Sequence, residues 1–319
     1  MKIPYLLLLL VMMPLHGICQ NVTDLLAQAE ETYQNKAFGK SMMLYEKAFR
    51  TGKASHSDYY NAACSAALNG QVKQALLWLN TAVDKGYSNI RHMKSDADLT
   101  TLRKTREWAA LITKLQAKVD RIEVNYDKKL QARLLTVYDN DQKDRFKINE
   151  IGEKHGYDSK EMQALWKTIA EKDSLNLIEV KSILDKYGWV GRDKVGGQAS
   201  VALFLVIQHA DLATQQTYLP LMRKAVEAKQ ARPSDLALLE DRVALGEGRR
   251  QLYGSQIGED STGKSYVMAL HDPDGVDQRR AMMDLPPLAS YVKGWGIIWN
   301  VAEYKKQLPE IERRDGIKP

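Results

Sequence analysis

The chain has 319 residues, of which 44% are hydrophobic and 27% charged, and its formal net charge is +6. That length corresponds to about two domains at ~100–200 residues each and is enough to bury substantial cores. The basic excess is small and dispersed, its densest cluster being Arg313-Arg314, so nucleic acid is not an expected partner.

The first segment, MKIPYLLLLLVMMPLHGICQN, combines Lys2 with an apolar run from Tyr5 to Met13 and an exit through Gly17 and Cys19. This is the pattern of a secretory signal peptide over residues 1–19, too short for a comfortable membrane span. Two processing routes are open: cleavage after Cys19, or lipidation of Cys19 in the manner of bacterial lipoproteins. His16 and Ile18 suit lipidation poorly, so a periplasmic or secreted protein is the main expectation. No later stretch reads as a transmembrane span. With Cys19 removed, Cys64 is the remaining cysteine, which excludes an internal disulfide. Cys64 sits among Ala62, Ala63, Ala66 and Ala67 and reads as a small buried residue at a helix contact.

Residues 22–118 repeat themselves. Ala29, Phe38, Ser41, Tyr45 and Ala48 recur as Ala63, Val72, Ala75, Leu79 and Ala82, each pair thirty-four residues apart. Small residues return where two helices must approach closely, and large ones where an apolar wedge is needed. Asn35-Lys36 and Asn69-Gly70 supply turns, Gly70 being suited to the left-handed conformation after a helix. The period and the small-and-aromatic pattern resemble the tetratricopeptide family. Asp96 to Leu102, then Trp108 and Leu111, read as a short helix and a longer capping helix. Two repeats and a cap meet the minimum for a solenoid. The resemblance implies a concave surface that holds a peptide or a partner domain.

Residues 120–319 read as a helical domain with one small β-hairpin near 251–270, so the expected class is mainly α. Leu130, Leu134, Leu135, Val137 and Tyr138 mark one amphipathic helix. Met162, Leu165, Trp166, Ile169, Leu177, Val180, Ile183 and Leu184 mark a second, stopped by Gly188. ASVALFLVI, residues 199–207, holds one polar residue in nine, the mark of a buried central helix. Helices are expected over Tyr218 to Lys229 and from Pro233 to Arg242, with Ser234 or Asp235 as N-cap. Trp295 and Trp299, four apart, are expected to share a helix face in packing.

This second part is similar to an uncharacterised bacterial domain of unknown function, common in exported proteins and sometimes attached to tetratricopeptide repeats. The resemblance rests on Asp141-Gln142 with Arg145, Gly188-Trp189, Gln208-His209-Ala210-Asp211, Asp241-Arg242 and Gln251 to Gln256. It continues through Asp272-Pro273, Arg280 and Leu285 to Tyr291, covering most of residues 125–295. Ser255 stands where the family more often has Thr, and Asp284 where Gly is expected. The resemblance implies domain identity and brings no chemistry with it.

The candidate polar cluster is Gln208, His209, Asp211, Asp241, Arg242, Gln251, Tyr253 and Gln256. On a continuous helix His209 and Asp211 would point roughly 200° apart, so a network from His209 to Arg242, Gln251 or Gln256 is expected instead. Such a set suits an internal clasp or hydrogen-bond recognition. Acid–base catalysis by His209 in an exported hydrolase, with Arg242 and Gln256, is the alternative. Ser255 has no G-x-S-x-G elbow around it. No histidine has metal-ligand spacing with a second ligand, and neither metal nor cofactor is expected.

Residues 258–265, GEDSTGKS, fit the phosphate-loop pattern letter for letter. Their flanks, Gln251 to Ile257 and Ser265 to Leu270, read as two short strands, and His271-Asp272-Pro273 ends the second before a helix can begin. A hairpin tip is expected there, with no bound nucleotide. The chain is therefore expected to be an exported envelope protein whose repeats bind a protein partner and whose second domain is a binding or structural module.

Overall fold

The computed structural model describes the backbone of residues 16–317 and the side chains of residues 22–317. Most of the expected signal peptide, and the side chain of Cys19, lie outside the described residues. Among those described there are sixteen α-helices and one two-stranded antiparallel sheet, so the fold is mainly α with a single β-hairpin. No helix among them is long and apolar enough to cross a membrane. The chain divides into two compact units, Met1–Val124 and Asn125–Pro319.

The first unit contains α1 (His16–Gln34), α2 (Phe38–Phe49), α3 (His56–Leu68), α4 (Val72–Lys85), α5 (Ile90–Ser95) and α6 (Arg106–Ile122), with a 3-10 turn at Ala97–Leu102. Helix α1 packs on α2, α3 on α4, and α2 on α3, giving successive helical hairpins. Their period is visible in the backbone: α2 opens at Phe38 and α4 at Val72, while Lys36 and Gly70 both take positive φ, +57° and +76°. Ala29, Ala48, Ala63, Ala75 and Ala82 are fully buried, and their single methyl groups let the helices close up. Ser41 stands where the second hairpin has Ala75. Its buried hydroxyl donates to the Ala29 carbonyl at 2.8 Å and lies 2.9 Å from that of Ser65, so the exchange of Ala for Ser leaves no orphaned polar atom. Helix α6 turns the stripe Trp108, Leu111, Leu115 and Val119 inward and packs on α4 and α5.

The second unit contains α7 (Lys128–Arg145), α8 (Ile148–His155), α9 (Lys160–Tyr187), α10 (Arg192–Val195), α11 (Gly197–His209), α12 (Leu212–Glu227) and α13 (Pro233–Gly246). After these come β1 (Ile257–Glu259), β2 (Ser265–Val267), α14 (Val276–Met282), α15 (Leu288–Val292) and α16 (Val301–Arg314). Helix α11 is the central one: Ala199, Ala202, Leu203, Phe204, Val206 and Ile207 are buried, and it touches α7, α9, α12 and α13. A second core, built on Leu270, Leu288, Val292, Tyr304 and Ile311, joins the hairpin region to α15 and α16.

Three local details differ from the sequence expectation. Pro233 takes the first helical position of α13, so Arg232 is the cap residue and Ser234 and Asp235 fall inside the first turn. Proline needs no N–H partner and has a helical φ already; Asp235 is instead gripped by two Arg232 nitrogens, both at 2.8 Å. Trp295 and Trp299 share no helix, because Gly296 between them is left-handed. Each packs separately, on Tyr291 and Tyr304, with ring centroids 4.9 Å apart. Of the expected strand over residues 251–257, the described strand takes only Ile257.

The GEDSTGKS segment is the tip of the hairpin, with Ile257 opposite Val267 and Glu259 opposite Ser265. The Asp260 carboxylate accepts from the N–H groups of Thr262 and Lys264, at 2.9 and 3.1 Å. A phosphate cradle would leave such N–H groups open at a helix N-terminus; here the loop's own aspartate takes them.

Candidate functional site

Three helices carry polar residues on otherwise apolar stripes. Helix α7 buries Leu130, Leu134 and Val137, and the same spacing then delivers Asp141 and Asp144. Helix α9 buries Ile169, Asn176 and Val180, and Asp173 falls on that stripe. Helix α11 ends at His209. Since α11 packs on both α7 and α9, these side chains meet.

Asp141 lies at the centre, its side chain 1% exposed. Its Oδ1 is 3.0 Å from His209 Nδ1, and its Oδ2 accepts from Gln142 Nε2 at 2.7 Å. Arg145 Nη1 is 3.4 Å from Asp141 Oδ1 and donates to the Asp141 carbonyl at 2.7 Å. The same guanidinium holds Asp173 bidentately, at 3.0 and 2.7 Å. Burial works to raise the Asp141 carboxyl's pKa, but the His209 bond, with Gln142 and Arg145, outweighs it and the pKa is lowered. Asp141 is thereby favoured as a carboxylate, which can only accept, and the His209 tautomer that pairs with it is the one with hydrogen on Nδ1. The Nε2 of His209 has no protein partner among the described residues.

The group opens on a cavity of about 150 Å³, lined on its polar side by Asp141, Asp173, Ser174 and His209 and elsewhere by Leu177, Val206 and Ala210. Asp141, Asp173 and His209 bring one ligand atom each to within 4.8 Å of one another, a spacing a metal ion could use. Arg145 already bonds both oxygens of Asp173, and both oxygens of Asp141 have donors. A metal ion taking these carboxylates as ligands would share them with a guanidinium already in place.

The remaining residues of the expected cluster lie elsewhere. Helix α11 does end at His209, yet Asp211 caps α12 instead, accepting from the Thr214 N–H at 2.8 Å. The Gln208 carbonyl accepts from Gln215 Nε2 at 2.9 Å. Gln208 Oε1 and Arg242 Nε are buried atoms without a partner among the described residues. No hydrogen bond joins His209 to Arg242, Gln251 or Gln256.

Asp241, Gln251, Tyr253 and Gln256 form a separate assembly around the turn that replaces the expected strand. The fully buried Asp241 accepts from the N–H groups of Leu252, Tyr253 and Ser255, at 2.7, 3.0 and 2.9 Å. The Gln251 side chain takes the Gln256 N–H at 2.9 Å and donates to the Gln256 and Met268 carbonyls at 3.0 and 2.9 Å. Arg280, also fully buried, donates to the carbonyls of Tyr253 and Pro286, both at 2.6 Å. Tyr253 reaches Glu240 through its hydroxyl, at 3.1 Å. Gly254 has φ +68°, and a Cβ there would lie 3.1 Å from Leu288 Cδ1. These side chains act as an internal clasp on backbone that makes an isolated bridge, Gln251 to Leu270, in place of a continuous ladder.

A family model described as a family of unknown function, DUF6624, matches residues 128–299. The chain belongs to this family. The DUF6624 segment contains both the His209 cleft and the Asp241 clasp. It stops before α16, which nonetheless closes the second core: Tyr304 Oη takes the Leu270 N–H at 2.8 Å and donates to the Met268 carbonyl at 2.9 Å. Asp284 has φ +54°, which gives a physical reason for the glycine expected at this position of the domain. Searches of curated proteins and of solved structures found no match.

The first unit has a larger hollow, about 330 Å³, whose acidic lining is Glu30, Asp96 and Asp98 and whose walls include Tyr33, Tyr60 and His92. Tyr33 and Tyr60 donate to Asp98 and Asp96 at 2.5 and 2.8 Å. Cys64 also lines it; burial, then the charges of Asp96 and Asp98, push its thiol pKa far up, so it stays protonated. Of the cleft residues, Asp173 was not marked in the sequence by any motif. Its one signal was a charged residue on the apolar stripe of α9.

Proposed function

We propose that this is an exported envelope protein that works by binding. The hairpins of the first unit act as tetratricopeptide-like repeats that hold a protein partner, and the DUF6624 domain is a recognition module for a small ligand. The observation that carries the docking role is the 330 Å³ hollow, which has three carboxylates and two tyrosines but no Lys or Arg in its lining. Complementary charge gives a basic group of the partner its specificity there. Export rests on the signal-peptide pattern of residues 1–19, with anchoring through Cys19 the lesser route. The test is capture from an envelope extract with the full chain and with Asp98→Lys, folding being checked by circular dichroism. Loss of the captured partner from the variant is expected; an identical set from both would refute docking through this hollow.

The Asp141–His209 hydrogen bond favours a second reading, an exported hydrolase. A buried carboxylate that fixes the Nδ1–H tautomer leaves Nε2 as a general base. In that case ester turnover falls by about a hundredfold or more in His209→Gln and also drops in Asp141→Asn, while Arg242 and Gln256 act as bystanders. Equal turnover by wild type and both variants would exclude it.

A further inference from the structure

We infer that the cleft beside His209 binds a small primary ammonium group, the cationic end of an amine ligand. This deepens the reading of the DUF6624 domain as a recognition module and rests on it. The reasoning is an account of protons. Asp141 Oδ2 takes the Gln142 N–H and its Oδ1 lies 3.0 Å from His209 Nδ1; in the neutral tautomer that donates from Nδ1, Nε2 offers a lone pair. Each oxygen of Asp173 takes one guanidinium N–H from Arg145, and a carboxylate oxygen keeps a second lone pair. The Ser174 hydroxyl donates to the Ala170 carbonyl at 2.9 Å, so its oxygen too has only lone pairs to offer.

Every polar side chain lining the cleft is thus an acceptor. A carboxylate or a carbonyl entering it would meet lone pairs; an ammonium brings three donors and no acceptor. The fixed charges agree, since two carboxylates, Asp141 and Asp173, face one guanidinium, Arg145. An ammonium can use single lone pairs left over on separate groups through its three N–H donors, whereas a divalent metal favours several oxygen ligands at once, and here Arg145 already holds both oxygens of Asp173. Leu177, Val206 and Ala210 supply an apolar wall for a short stem. A volume of about 150 Å³ equals roughly five waters at ~30 Å³ each, room for the head group and two or three carbons.

The test uses the full chain with ¹⁵N-labelled histidine, titrated with ethylammonium, acetate, acetamide and Mn²⁺ in turn and followed by NMR. The His209 signals are assigned by their loss in His209→Gln. Ethylammonium should perturb His209 Nε2 saturably at about millimolar concentration, the scale for a ligand of three heavy atoms. Asp173→Asn should weaken it at least tenfold, and Ser174→Ala about threefold. The hydrogen-bonded Nδ1 signal should persist in both variants, showing that the cleft still folds. Ethylammonium binding that is unchanged in Asp173→Asn would overturn the assignment of the site. Saturable binding of acetate or acetamide without ethylammonium would overturn the ligand class and leave the recognition reading standing. No effect from any probe would overturn both. Mn²⁺ that broadens His209 at micromolar concentration and is not displaced by ethylammonium would make the cleft a metal site.

Discussion

Three backbone N–H groups end on the single buried carboxylate of Asp241. Burial raises its pKa, and the three bonds offset that only in part. Asp241→Ala would strand those donors, so urea unfolding should show a loss of about 3 kcal/mol or more; Asp241→Asn, which keeps an acceptor, should lose less. Asp144 behaves oppositely. Its bonds to Lys147 and Lys172 draw its pKa down to about 2. A folded-state pKa below the unfolded value of about 3.9 gives stability that is present above pH ~4 and lost as pH falls towards 2. The difference in unfolding midpoint between wild type and Asp144→Asn should therefore shrink across that window. At Asp284 the φ of +54° disfavours any side chain, and Asp284→Gly should raise stability by about 0.5 kcal/mol. A Cβ at Gly254 meets both the wrong φ and Leu288, so Gly254→Ala should cost about 1–2 kcal/mol. Thermal unfolding of the two variants checks both signs.

At the scale of elements, apolar spacing made α7, α9, α11, α12 and α13 legible and left α8, α10, α14, α15 and α16 unmarked. Gly188 does end α9, and the run 199–207 is the central helix. Spacing reveals which face is buried, because a helix places residues three and four apart on one side. It does not reveal which helix faces which. Asp141 and His209 are 68 residues apart, and their contact exists only because α7 and α11 pack together, so His209 was matched in sequence with the wrong polar partners. The strand expected at 251–257 gives way for a related reason: a carboxylate on α13 takes the N–H groups of Leu252, Tyr253 and Ser255 that a ladder would have used. Helix α16 shows that the working element set extends past the DUF6624 match. Tyr304→Phe would orphan the buried Leu270 N–H, and should cost about 1–3 kcal/mol in urea unfolding.

For the whole molecule, each compact unit has its own buried core. Residues 125–319 alone should therefore keep their helix content by circular dichroism, melt cooperatively and retain the His209–Asp141 signal. An unfolded fragment would mean that the first 124 residues are required for the fold. The hairpin tip has a use at this scale. Asp260 satisfies the tip's own N–H groups, and residues 261–264 are exposed. A single reporter cysteine in place of the exposed Ser261, which leaves the Asp260 bonds to Thr262 and Lys264 intact, should be tolerated, giving the intact chain a fluorescent handle whose attachment leaves the His209 cleft untouched.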